Sequence, residues 1–126
     1  MKKTILLLIF ALTQLFSYNT NVKAAYAIGI FSENGNGENV QHIRTTTHDY
    51  NNICYTKIFV VGSFLKLKPN VYIGKSKGHY QSSKSIYNNR KIKIGEVLTY
   101  KHYAVTNGYF KVLFRNKLYD TKVFVK

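Results

Sequence analysis

The chain has 126 residues, with 19 Lys and Arg against five Asp and Glu, a formal net charge of +14, one cysteine and no tryptophan. A single cysteine excludes an intramolecular disulfide framework, and the length is that of one domain able to bury its own core. So strong a positive balance points to polyanionic partners drawn in by long-range attraction.

In chain order, Lys2 and Lys3 precede an apolar run, Ile5–Leu12, and a polar stretch that ends with Val22 and Ala24 at the two small-residue positions a signal peptidase reads. This is the pattern of a secretory signal peptide. The run is too short for a membrane span, which needs about 18 apolar residues. Residues 1–24 are therefore expected to be removed, with cleavage after Ala24 favoured over Ala27, leaving 25–126 as a single secreted or cell-surface β domain. No lipobox cysteine follows the apolar run. The weight of Lys, Asn, Tyr and Ile suits a chain from an AT-rich bacterial genome. Within 25–126 the charge is uneven: residues 25–49 carry net −2 and residues 50–126 net +13.

"AYAIGIF" predicts a short first strand and "SENGNGEN", Ser32–Asn39, a turn. Val40–Thr47 is rich in β-branched residues and predicts a strand. Cys54 sits in a strand-like run, "NNICYTKIFVV", as a buried unpaired thiol. Phe59, Val61, Leu65 and Leu67 share one parity, with a bend at Gly62-Ser63 between the pairs. "NVYIGK" predicts a short strand and Lys75–Ser85 a polar loop. Beyond residue 25 there is no sustained helical stripe.

The last third is the most regular. After Gly95 the side chains Val97, Thr99, Lys101 and Tyr103 oppose Leu98, Tyr100, His102 and Ala104. Asn107-Gly108 predicts a type I′ hairpin turn. Phe110, Val112 and Phe114 then form the face expected to be buried, with Tyr109, Lys111 and Arg115 on the accessible face and Leu113 packing at its edge. "RNK" is a second turn, and Tyr119–Val125 a last alternating strand. Three strands in a meander are expected here. The whole predicts an all-β fold of about seven short strands, a small SH3-like barrel or an immunoglobulin-like sandwich.

The segment 94–126 resembles the second half of a bacterial SH3-like domain. The matching residues are Gly95, the strand Val97–Tyr103, Asn107-Gly108, Tyr109-Phe110-Lys111-Val112, Asn116-Lys117 and the strand Tyr119–Val125. Tyr72 and Tyr109 stand where that family has Arg and Trp, and Tyr119-Asp120-Thr121 replaces its Gly-Tyr-Val. The resemblance implies a small β-barrel.

Catalytic chemistry finds little support. The acids of 25–126 are Glu33, Glu38, Asp49, Glu96 and Asp120, and the first two lie in a Gly-Asn loop, a poor place to raise a carboxyl pKa by burial. On an extended strand His42 and His48 would stand roughly 20 Å apart, too far to share an ion. No enzyme activity, metal or cofactor is expected. The remaining signal is aromatic and basic. Tyr80, Tyr87, Lys91, Lys93, Tyr109, Lys111 and Arg115 are the candidate ligand-binding residues, because tyrosine offers a flat apolar face with a hydroxyl beside the cations. The expected partner is an anionic cell-envelope polymer or membrane surface, or a protein receptor, with no specific nucleic acid. Two other classes fit the same composition: a bacteriocin-like or host-directed effector, and an exported inhibitor or immunity protein.

Overall fold

The structure is a computed structural model that describes residues 22–62 and 68–126. The apolar run of the leader, the bend at Ser63 and the side chains of Leu65 and Leu67 lie outside the described residues. The described chain is all-β: β1 Val22–Ser32, β2 Gly37–Asn39, β3 Asn52–Gly62, β4 Asn70–Ile73, β5 Ser76–Lys77, β6 His79–Tyr87, β7 Lys93–Val105, β8 Gly108–Phe114 and β9 Lys117–Val125. These nine strands, against the seven expected, form two antiparallel sheets in the orders β2-β1-β3-β7-β6 and β5-β4-β8-β9. Of the two expected architectures it is the open sandwich that forms, since the sheets do not close into a barrel.

Alternation decides which face each strand buries. From the five-stranded sheet Ala25, Ala27, Ile30, Cys54, Ile58, Val60 and Leu98 point inward, and from the four-stranded sheet Val71, Ile73, Phe110, Val112, Val123 and Val125. The predicted inward parity of Phe110, Val112 and Phe114 holds. In β7 the buried parity is that of Leu98, Tyr100 and His102, and it ends before Ala104, which is exposed at φ 51°. In β3 the buried side chains are instead Cys54, Thr56, Ile58 and Val60, so Phe59 and Val61 face out. Both faces of this strand are apolar, and its sequence does not break the tie.

Three expectations fail for identifiable reasons. Val40–Thr47 is not a strand. It turns across the sandwich, pinned by Phe124 N–H donating to the Arg44 carbonyl and Thr46 N–H to the Phe124 carbonyl. The Glu38 carboxylate accepts from the N–H groups of Thr47 and His48 and from the Tyr50 hydroxyl. Local β propensity gave way there to these longer-range bonds. Second, the loop expected at Lys75–Ser85 is β5 and most of β6. An edge strand that wets both its faces reads as polar, and among the described residues β6 pairs only with β7.

Third, β7 and β8 are not a hairpin. β7 lies between β3 and β6, whereas β8 lies between β4 and β9. Asn107-Gly108 is therefore a crossover between sheets. Neither residue has positive φ; the left-handed residue is Ala104, at 51°. Gly108 is required for a different reason: a Cβ there would stand 2.4 Å from Gly74 Cα. The two-residue hairpin turn is Arg115-Asn116, at φ 51° and 66°, between the paired residues Phe114 and Lys117.

Two side-chain seams join the sheets. On one, Asp120 Oδ2 accepts from Ala27 N–H at 2.9 Å, and the Tyr119 hydroxyl donates to the Val22 carbonyl at 3.3 Å. On the other, the chain leaves the four-stranded sheet through β5 and enters the five-stranded one through β6, bending at Gly78. A Cβ at Gly78 would meet the His102 ring at 2.8 Å and Tyr100 Cβ at 2.9 Å. Tyr100 completes this corner by donating its hydroxyl to the Pro69 carbonyl at 2.6 Å.

Candidate binding surface

The seven residues singled out from the sequence fall into two groups on different sheets. Tyr80, Tyr87, Lys91 and Lys93 belong to the β6–β7 hairpin. Tyr109 and Lys111 lie on β8 and Arg115 in the β8–β9 turn of the other sheet. Tyr80 sits at the rim of the core, edge-on to Tyr100 at 6.0 Å with the Lys68 ammonium 5.2 Å above its ring. Tyr109 packs edge-on against Phe124 at 5.3 Å, and Arg115 lies over Phe114 at 5.9 Å. Lys93 is bridged to Glu96 at 3.1 Å.

A more ordered cluster was not singled out from the sequence. It lies on the outer face of the five-stranded sheet, where alternation turns Tyr55, Lys57, Phe59 and Val61 of β3 away from the core. Pairing places Phe31 and Lys101 on either side of Tyr55, and side chains of paired residues share a face. Phe31 and Tyr55 stack with centroids 5.0 Å apart and planes within 7°. The Lys57 ammonium stands 5.3 Å from the Phe31 ring, and that of Lys101 5.6 Å from Tyr55 and 5.2 Å from Tyr103. His79 meets Tyr103 edge-on at 5.5 Å. Rings and cations thus alternate from β1 across β3 and β7 to β6. Lys84 joins the same face opposite Val97. An acid meets this array at its edge, where Glu33 lies 3.9 Å from Lys101.

Each ammonium lies within the range at which a ring quadrupole attracts a cation. The Lys101 pKa is raised, first by its hydrogen bond to Tyr55, with Tyr103 adding to it. The array can therefore offer flat apolar platforms beside fixed positive charges. The parity grouping of Val97, Thr99, Lys101 and Tyr103 contained two members of this array, Lys101 and Tyr103. What it lacked was the register that sets Phe31 and Tyr55 next to Lys101.

Cys54, His102, Glu38 and Asp120 are occupied structurally. Cys54 is fully buried, and burial pushes its thiol up to about 12. His102 is also buried. Its Nδ1 lies 3.2 Å from the Ser76 carbonyl, which can only accept, so the proton is on Nδ1 and Nε2 accepts from the Thr56 hydroxyl at 2.8 Å. Burial holds this imidazole down to about 4, with the Ser76 bond opposing and His79 adding to the shift. Glu38 is pushed up by desolvation, but the bonds from Thr47, Tyr50 and His48 outweigh it and hold the carboxyl below its ordinary range. A cleft of about 270 Å³ lies between β1, residues 40–43 and β9, and its one acid, Asp120, already accepts from Ala27 and Lys122 N–H. Among the described residues no three His, Cys, Asp or Glu side chains converge as metal ligands.

Comparison with protein-family models, curated proteins and solved structures finds no match for the chain.

Proposed function

We propose that this is an exported, non-enzymatic β domain that binds the anionic cell envelope through the outer face of its five-stranded sheet. The observation that carries the reading is the alternation of Phe31, Tyr55, Lys57, Lys101 and Tyr103 across that face. Stacked rings suit the apolar faces of sugar rings, and fixed ammonium groups suit phosphate or carboxylate. A polymer of sugars and phosphates presents both. The charge of residues 50–126 would supply the encounter, and the Lys2-Lys3 and Ile5–Leu12 pattern supports export.

The test is co-sedimentation with purified, phosphate-rich cell walls across a salt series. The Lys57→Gln/Lys101→Gln variant should lose about tenfold or more in capture at low salt, each lysine near an anionic surface contributing about 1 kcal/mol. The difference should shrink as salt screens the charges. Retention of parental binding by this variant would move the contact to another face or end the proposal.

A further inference from the structure

The β6–β7 hairpin ends in a run unlike the rest of the surface. Every residue from Tyr87 to Ile94 is exposed. The run carries three large apolar side chains, Tyr87 at 59%, Ile92 at 57% and Ile94 at 41% exposure, together with Arg90, Lys91 and Lys93. Ile92 and Ile94 are the only isoleucines among the described residues with such exposure. Among the described residues β6 borders no strand but β7.

The tip is nonetheless ordered. Asn88 Oδ1 accepts from the N–H groups of Arg90 and Ile92, Asn88 N–H donates to the Ile92 carbonyl, and Lys91 N–H to the Asn88 carbonyl. Lys91 takes φ 62° to close this turn. Its shape is therefore set before any partner arrives, which lowers the ordering entropy lost on binding.

We propose that this tip inserts into the interfacial layer of an anionic phospholipid bilayer. The inference rests on the anionic-surface reading above and names lipid as the partner of this part of the molecule. Aliphatic side chains gain nothing from a hydrated polymer of sugars and phosphates. On a convex tip they also need a partner that deforms around them, and a bilayer does so. The arrangement of apolar side chains, a tyrosine and cations in one short segment matches the three depths of a membrane interface: acyl boundary, glycerol region and headgroup phosphate. Charge complementarity selects the anionic lipid, because Glu96, already bridged to Lys93, is the one acid in the hairpin.

The chain has no tryptophan, so Ile92→Trp is a unique reporter. The probes are vesicles of phosphatidylglycerol with phosphatidylcholine, vesicles of phosphatidylcholine alone, and the purified walls used above. With phosphatidylglycerol present, the emission of the indole introduced by Ile92→Trp should shift to the blue and be quenched by lipids brominated on the acyl chain. Tyr103→Trp, on the sheet face, should show neither effect. Ile92→Ser/Ile94→Ser should bind the anionic vesicles about tenfold or more weakly than the parent, since two buried aliphatic side chains are lost. It should bind walls as the parent does. Water-like emission from the Ile92→Trp variant on vesicles, parental vesicle binding by the double serine variant, or no vesicle binding by the parent each overturns the insertion. Failure of the parent to bind walls would instead overturn the anionic-surface reading.

Discussion

His102 is where a single residue has the largest predicted consequence. Its neutral ring bridges Thr56 of β3 and Ser76 of β5, and Gly78 packs directly on it, so charging it would put an unpaired cation inside the corner that joins the sheets. In the unfolded chain it titrates at its ordinary value, 6.5, and in the folded protein at about 4. Above pH 6.5 both states are neutral there and the fold keeps its full stability. Below it the unfolded chain takes up a proton that the folded one refuses, so stability falls until the folded value is reached. The loss should come to about 3 kcal/mol by about pH 4. Chemical denaturation at about pH 7 and about pH 4.5 measures it. His102→Gln, which keeps polar reach without the titration, should flatten that part of the profile even if its stability at neutral pH is lower. A parent equally stable at both pH values would show that the ring is not held as described.

At the scale of the element, the two turns of the last third exchange roles. Asn107-Gly108 has the sequence of a type I′ turn but is a crossover, and Arg115-Asn116 makes the hairpin turn with an unfavourable arginine in the first left-handed position and an asparagine, which tolerates φ > 0 less freely than glycine, in the second. Writing Asn-Gly into 115–116, as Arg115→Asn/Asn116→Gly, should raise stability by about 1 kcal/mol. Gly108→Ala should lower it by about 1–3 kcal/mol, because its Cβ has no room beside Gly74. Thermal denaturation of the two variants gives opposite signs, and equal signs would contradict this topology. The contrast also marks how much was legible beforehand. Strand positions and core parity in β7, β8 and β9 follow from alternation, which is local. Which strand pairs with which is decided by partners far away in sequence, and Asn-Gly says nothing about them. β6 went unread because a two-sided wet edge has no apolar period. The Phe31–Tyr55–Lys101 array was hidden for a related reason: its members lie on three strands, and only register makes them neighbours.

For the whole molecule, the two sheets hold together through the core and the side-chain seams, and the first seam bears on the export proposed above. β1 begins at Val22, ahead of the favoured cleavage point after Ala24. Cleavage there gives up the Tyr119 bond to Val22 but leaves the buried Ala25 and Ala27 and the N–H that Asp120 accepts from. Cleavage after Ala27 would remove both alanines. Mass spectrometry of the exported product should therefore find Ala25 at the N-terminus, and a recombinant chain starting at Ile28 should melt at a lower temperature than one starting at Ala25. Equal melting temperatures would mean that the seam adds nothing. Ala27 and Asp120 are 93 positions apart, so the strand made first waits for the one made last. A chain of this kind loses loop entropy before its pairings can compensate, and such topologies fold in roughly milliseconds to seconds whatever their final stability. During that interval the rings of β1 and β3 have no settled face, and speed of closure, more than depth of the native minimum, decides how much chain escapes aggregation.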